Sequence, residues 1–223
     1  MSIVAFIPAY NESGRILDTV EAAFEIEGVD DVVVIDDCST DDTRSRALIA
    51  GATVIRLPEH SGKGAALTAG LADFKFDHCL FLDADLGKSA SQGMLLLAPV
   101  LAGDLDMAIA RFPKPPKKVG FGKVKAIALD AIKQVDPTFD CQSPLSGQRA
   151  MTRECINALL PLAEGFGVEV ALTIKALRRG FRIAEVETNM SHAATGNDVH
   201  GMVHRAEQYK DVHKAIKDLG IRV

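Results

Sequence analysis

Tryptophan is absent from the 223 residues, tyrosine occurs twice and aromatic residues make up 5%. Platforms that stack single-stranded nucleic acid need more rings than that. A basic excess is missing too: 25 Lys and Arg stand against 30 Asp and Glu, a formal net charge of −5, so no nucleic-acid partner is expected. The four cysteines, Cys38, Cys79, Cys141 and Cys155, form no CxxC pair and read as free thiols of a reducing cytosol. The longest apolar run, around Met94 to Ala102, is far short of the roughly 20 residues that span a bilayer. The opening MSIVAFIPAYNE has no basic stretch and does not read as a signal peptide. The expected location is therefore cytoplasmic, with at most peripheral contact with the inner face of the membrane. What is present, 48% hydrophobic and 25% charged residues with 18 Gly and 9 Pro, excludes disordered, collagen-like and low-complexity classes. No segment reads as a linker, so one domain with a sizeable core is expected.

Short apolar runs alternate with helical stretches. Ile3–Ile7, Val32–Ile35, Thr53–Leu57, Leu80–Leu82 and Met107–Ala110 read as strands. Ser13–Glu27, Asp42–Ala50, Lys63–Phe74 and Gln92–Leu101 read as the helices between them. Unbroken apolar strands spaced by helices predict an α/β fold, its mostly parallel sheet covered on both faces. Further on, Lys123–Val135 and Asp198–Leu219 are helix candidates, Glu164–Arg178 carries Gly-Phe-Gly ahead of a helical run, and Phe181–Glu187 alternates like a strand.

Ligands of doubly wound sheets bind at the carboxyl ends of the strands, and four polar clusters fall there: PAYNE, DDCSTDD, SGKG and DAD. Neither common nucleotide loop is present. The turn after the first strand is Pro8-Ala9-Tyr10-Asn11-Glu12 and not GxGxxG, and Leu57 occupies the first glycine position of a P-loop. Asp83 and Asp85 flank Ala84 just past a buried strand. They can converge on a hard divalent cation or simply cap a turn. Asp36 and Asp37 can accept hydrogen bonds from a base or ribose, while Ser39 to Thr43 reads as a capping box opening a helix. Lys63, between Gly62 and Gly64, can pair with phosphate or remain a solvated lysine in a turn.

The combination IPAYNE, VVVIDDCSTDDT, SGKGAAL and FLDADLG, in this order and spacing, resembles family 2 glycosyltransferases with the GT-A fold. The resemblance implies a Rossmann-like sandwich and a nucleoside diphosphate sugar donor, UDP- or GDP-linked. Pro8, Ala9, Tyr10 and Glu12 would line the base and ribose pocket, with Asp36 on the base. Lys63 would lie near the diphosphate. Asp83-Ala84-Asp85 matches the DxD motif, with Asp85 the more usual direct ligand of Mg²⁺ or Mn²⁺. Residues 1–110 would form the donor half and 111–223 the acceptor half.

The later chain extends the resemblance. Ser143–Ala150 is similar to the acceptor-side SGFRA segment of polyprenyl-phosphate mannosyl- and glucosyltransferases, with Gln148 in place of the common aromatic. Gly147, Gln148 and Arg149 become acceptor-binding candidates. Gly165–Val170 resembles a segment of glucosyl-3-phosphoglycerate synthases, which implies Glu169 at the reaction centre and His192 as the last metal ligand. A glutamate there can orient an acceptor hydroxyl or act as general base. The acid-free stretch between Asp106 and Asp130 carries Arg111, Lys114, Lys117, Lys118, Lys123 and Lys125. It is suited to an anionic acceptor or to the donor diphosphate, with Arg111 the acceptor-binding candidate. His200 and His204 have zinc-compatible spacing but lack the glutamate of HExxH. Thr195–Asp198, with His200 or Arg205, is a candidate segment for closing the site over phosphate.

The expected activity is metal-dependent transfer of a sugar to a phosphate-bearing or hydroxyl acceptor, a small phosphorylated molecule such as phosphoglycerate or a lipid phosphate such as polyprenyl phosphate, with a homodimer as the candidate assembly. Rival readings are a non-catalytic nucleotide-sugar-binding or regulatory protein and a sugar-phosphate nucleotidyltransferase. The latter is disfavoured because its Gly-rich N-terminal loop is missing.

Overall fold

The computed structural model describes residues 1–113, 122–191 and 199–222, and of 199–206 the backbone alone. Seven strands form one sheet: β1 (Ile3–Ala9), β2 (Asp31–Asp36), β3 (Thr53–Arg56), β4 (His78–Phe81), β5 (Met107–Arg111), β6 (Arg149–Thr152) and β7 (Ile183–Glu187). Their order is β3-β2-β1-β4-β6-β5-β7. β1 pairs in parallel with β2 and β4, β2 with β3, and β5 with β7, whereas β6 runs antiparallel between β4 and β5. The sheet is mixed and mostly parallel, as the alternating pattern predicts.

Residue alternation along β1 shows why both faces are apolar. Ile3, Ala5 and Ile7 pack on one side, among α1 (Ile16–Phe24) and α4 (Gly93–Leu101). Val4 and Phe6 pack on the other, among α3 (Lys63–Asp73), α6 (Arg153–Leu159) and α7 (Val168–Arg178). Phe6 is fully buried and meets Phe74, Phe76 and Phe81 edge to face at 6.0, 5.4 and 6.2 Å. Gly70 brings α3 down onto the sheet, since a Cβ there would lie 2.9 Å from Ile35 Cδ1. A third apolar cluster joins α7 to α5 (Gly122–Val135) and α8 (Val199–Asp218).

Three elements differ from expectation. β6 was expected only as a segment for acceptor contact, because four residues headed by an arginine carry no apolar run. The stretch expected as Gln92–Leu101 begins with a 3₁₀ turn, Gly87–Gln92, before α4. The capping box is replaced at α2 (Thr43–Ile49): Asp42 at the cap position makes no side-chain cap bond, and Asp41 accepts from Thr43 N at 3.0 Å instead. Among the described residues no helix is long and apolar enough to cross a membrane.

Candidate active site

The carboxyl ends of β1 and β2 lie side by side, with Ala9 opposite Asp36 in register. The two turns that follow are stapled together. Asn11 N donates to Ser39 Oγ (3.0 Å), Thr40 N to Asn11 Oδ1 (2.9 Å) and Glu12 N to Thr43 Oγ1 (2.7 Å). Asn11 and Cys38 sit in the left-handed region at φ 55° and 63°, conformations that side chains rarely adopt and that such stapling sustains. Asp36 is fully buried. Its Oδ1 accepts from Ser39 N at 2.9 Å, while Oδ2 has no hydrogen-bond partner and lies 3.5 Å from Arg56 Nη1. An orphaned buried acceptor at this edge of the sheet suits a ligand N–H.

Asp37 has a different task. Its carboxylate accepts from Ser61 N (2.7 Å) and Gly62 N (2.8 Å) and pairs with His60 Nδ1 (2.8 Å), and His60 stacks on Tyr10 at 4.0 Å. The turn thus held leads directly into Lys63, the first residue of α3. Close packing aims that lysine. Gly62 (φ 85°) faces the backbone of Gly165, and Gly64 has no side chain because one would collide with the Ala163 carbonyl. The glycines of SGKG therefore seat α3 on the segment that precedes α7.

Lys63 Nζ lies 2.5 Å from Asp83 Oδ1 and 2.7 Å from Glu169 Oε1. Burial disfavours its charge, but the Asp83 and Glu169 carboxylates outweigh burial and hold the ammonium well above its ordinary range. Gly147 closes this group from the sheet side: a Cβ there would strike Nζ and lie 2.8 Å from Asp83 Oδ1. One ammonium thus joins the DxD segment after β4 to the first turn of α7, with Gly147 against both. Nearby, burial and then the Asp85 and Asp83 charges push the Glu12 carboxyl up to about 7. The chain has gathered carboxylates where a cation would relieve their repulsion. Ala84 turns its methyl into the core, while its carbonyl accepts from Thr19 Oγ1 at 2.8 Å.

Two arginines expected on the acceptor have other partners. Arg149 is 0% exposed, its Nε bonded to Ser146 O and its Nη2 to Glu169 O at 3.1 and 2.8 Å. Its Nη1 donates to Thr173 Oγ1 at 3.0 Å, so all three guanidinium nitrogens are engaged within the protein and not held out to an acceptor as expected. Arg111 Nε pairs with buried Glu185 and its Nη2 with Asp140, each at 3.0 Å, so its charge is spent on carboxylates of the protein. Glu185 also accepts from Gln142 N (2.8 Å) and Ser143 N (2.7 Å), anchoring the turn that enters Ser143–Arg149. Gln148 is fully buried. Its Oε1 accepts from Ser146 Oγ at 3.3 Å and its Nε2 has no partner.

His192, Lys114, Lys117, Lys118 and Thr195–Asp198 lie outside the described residues, as do the side chains of His200, His204 and Arg205. Lys123 and Lys125 are exposed on α5. Among the described residues no three His, Cys, Asp or Glu side chains are grouped to hold a metal. The described donors are Asp83 and Asp85, whose hard oxygens fit Mg²⁺ or Mn²⁺, and the expected third ligand is His192. His60 was not among the expected site residues, and Asp37, expected as an acceptor for base or ribose, is engaged with His60, Ser61 and Gly62. The pairing of a second acid after β2 with a histidine just before SGKG was the available signal.

Residues 4–159 match the family described as Glycosyl transferase family 2. Glucosyl-3-phosphoglycerate synthase of Mycobacterium tuberculosis H37Rv is 31% identical over 218 residues, covering 88% of this chain and 67% of the relative. Glycosyltransferase AglJ of Haloferax volcanii is 30% identical over 200 residues, covering 88% of this chain and 65% of the relative. The crystal structure of the M. tuberculosis synthase with Mn²⁺, uridine diphosphate and glucosyl-3-phosphoglycerate superposes with a TM-score of 0.83 at 28% identity. It covers 100% of this chain and 81% of that one. With the motifs on the sheet edge where the fold places a donor, the chain belongs to glycosyl transferase family 2 and is a glycosyltransferase.

Proposed function

We propose that the chain transfers a hexosyl group from a uridine diphosphate sugar to a small phosphorylated hydroxy acid of the 3-phosphoglycerate type. The observation that carries this reading is Lys63 Nζ within 2.7 Å of both Asp83 on the donor side and Glu169 on the acceptor side. It is supported by the M. tuberculosis synthase, solved with Mn²⁺, uridine diphosphate and phosphoglyceric acid, a structure to which this chain superposes with a TM-score of 0.83.

In this reading Asp36 Oδ2, buried and without a hydrogen-bond partner, accepts an N–H of the base. Tyr10 lies along the base beside His60, and Glu12 faces the ribose side. Asp85, with Asp83 and His192, would hold Mg²⁺ or Mn²⁺, which when bound supplies neutralising charge to the leaving diphosphate. The Lys63 ammonium adds a fixed positive charge on the same side. Glu169 accepts a hydrogen bond from the acceptor hydroxyl and orients it toward the sugar. Gly147, by lacking a side chain, lets Lys63 and Asp83 meet beside the turn that enters β6. Gln148 Nε2, buried and unpaired, is a donor for an acceptor or sugar oxygen. Arg111 serves the acceptor side indirectly, through Glu185 and the turn at residues 142–143.

The test is a transfer assay with UDP- and GDP-hexoses, Mn²⁺ or Mg²⁺, and either 3-phosphoglycerate or a polyprenyl phosphate in detergent. The expected result is product from a UDP-sugar and 3-phosphoglycerate, abolished by EDTA. Product only on the polyprenyl phosphate would overturn the acceptor assignment. Failure of every nucleotide sugar to bind would favour a non-catalytic role.

A further inference from the structure

We propose that Arg149 is a positioning residue for sugar transfer: its guanidinium fixes the Glu169 carboxylate relative to Lys63. This deepens the function proposed above and rests on its assignment of Glu169.

Arg149 is the largest fully buried side chain of the described protein. A charge taken wholly out of water is costly, and ordinarily a carboxylate partner accompanies it. Here the hydrogen-bond partners are neutral. Nε donates to Ser146 O (3.1 Å), Nη1 to Thr173 Oγ1 (3.0 Å) and toward Met107 Sδ (3.4 Å), and Nη2 to Glu169 O (2.8 Å). Burial pushes the guanidinium down to about 10, opposed first by the charge of Glu169.

The partners explain why a planar fork is needed. Ser146 O belongs to the residue before Gly147, which abuts Lys63 Nζ and the Asp83 carboxylate. Glu169 O belongs to the residue whose carboxylate meets Lys63 at 2.7 Å. One rigid group therefore holds both walls around Lys63, the Ser146–Gly147 turn and the first turn of α7. Thr173, one helical turn beyond Glu169, strengthens the hold by donating to Glu169 O at 3.2 Å while accepting from Arg149. The donor-base edge at Asp36 and Tyr10 lies on other strands and shares none of these bonds. A lysine at this position has no fork to span three acceptors in one plane. A neutral residue would take the donor from Ser146 O and leave Glu169 O with Thr173 as its side-chain donor.

The experiment compares Arg149→Lys with the parent enzyme by steady-state kinetics, using UDP-glucose, Mn²⁺ and 3-phosphoglycerate, and by calorimetry of UDP binding in the presence of Mn²⁺. The same substitution is then made in a Glu169→Gln background. The expected result is a loss of about tenfold to a hundredfold in kcat, the scale set by a misplacement of about an ångström. The UDP affinity should stay within about twofold, and the further loss in the Glu169→Gln background should be under about twofold. An undiminished loss in that background, a matching loss of UDP affinity, or no loss of kcat overturns the proposal. Should Arg149→Lys not fold, Thr173→Val, which removes the acceptor of Arg149 Nη1 and the second side-chain donor to Glu169 O and so loosens the fork, is expected to lower kcat without weakening UDP binding, and an unchanged kcat there overturns it equally. A parent enzyme that binds UDP yet makes no phosphoglycerate product refutes the acceptor assignment alone. The comparison is then read on donor hydrolysis.

Discussion

Replacing Lys63 by Met is the perturbation that most exposes the electrostatics of the site. The substitution keeps the length of the side chain and removes the charge between two carboxylates. Lys63, Asp83 and Glu169 are 17%, 23% and 7% exposed at the side chain. Removing one partner of a buried pair costs roughly 3–5 kcal/mol, and the partial exposure of Asp83 places this case near the lower end, at about 3 kcal/mol. With a urea slope of about 2 kcal/mol/M, the unfolding midpoint should fall by about 1.5 M at pH 8. The pH dependence has a definite sign. The Lys63 ammonium is held above its ordinary range, so its stabilisation is fully present below about pH 10 and is lost only as pH rises through the folded value. In Lys63→Met the two carboxylates face each other with no ammonium between them, and their mutual repulsion disfavours the doubly charged pair. Stability is then retained at low pH and lost as pH rises, and the deficit shrinks toward pH 5. Adding Asp83→Asn should recover about half of the loss at pH 8, because it removes one of the stranded charges. A midpoint shift below about 0.3 M, or a deficit larger at pH 5 than at pH 8, would refute the reasoning.

Other predictions concern neighbouring residues. Glu12→Gln should stabilise the metal-free protein by about 1 kcal/mol at pH 8, a figure reduced for solvent screening of a half-buried group. The gain should mostly vanish in melts at pH 5, because the folded carboxyl, raised to about 7, favours the neutral form and loses stability only as pH rises through that value. Gly147→Ala should lower turnover by at least about tenfold by displacing Lys63, and should lower the urea midpoint by less than Lys63→Met does. Gly64→Ala should destabilise by about 1–3 kcal/mol, since its methyl meets a backbone carbonyl that cannot rotate away. Phe6→Ala should cost about 3–5 kcal/mol in denaturant unfolding through the emptied aromatic cluster.

The first half of the chain was legible because its signals are local. The run Ile3–Ile7 is apolar at every position, which only a strand buried on both faces requires, and PAYNE, DDCSTDD, SGKG and DAD stand where such strands end. Lys63 and Asp83 could be named from those turns, but their contact could not, because it depends on Gly64 and Gly147 letting separate segments close in. The second half of the chain hides its logic. β6 is short and begins with Arg149, so period and composition say nothing of a central antiparallel strand. The same arginine reads as a ligand-binding charge on paper, and only the packing of α7 above it shows a buried brace. Arg111 misleads likewise, since its carboxylate partner Glu185 lies 74 residues away in sequence. Asp37 was read beside Asp36 as a ligand acceptor, and its hold on His60, Ser61 and Gly62 emerges only from the path of the chain.

The most direct test of the central claim, that Lys63 joins a donor carboxylate to an acceptor carboxylate across one reaction centre, is single-turnover transfer by Glu169→Gln. The assay supplies UDP-glucose and Mn²⁺ in excess and reads both 3-phosphoglycerate product and UDP affinity. Loss of transfer by at least about a hundredfold with UDP affinity kept within about threefold is the predicted outcome. Transfer at the parental rate would contradict it.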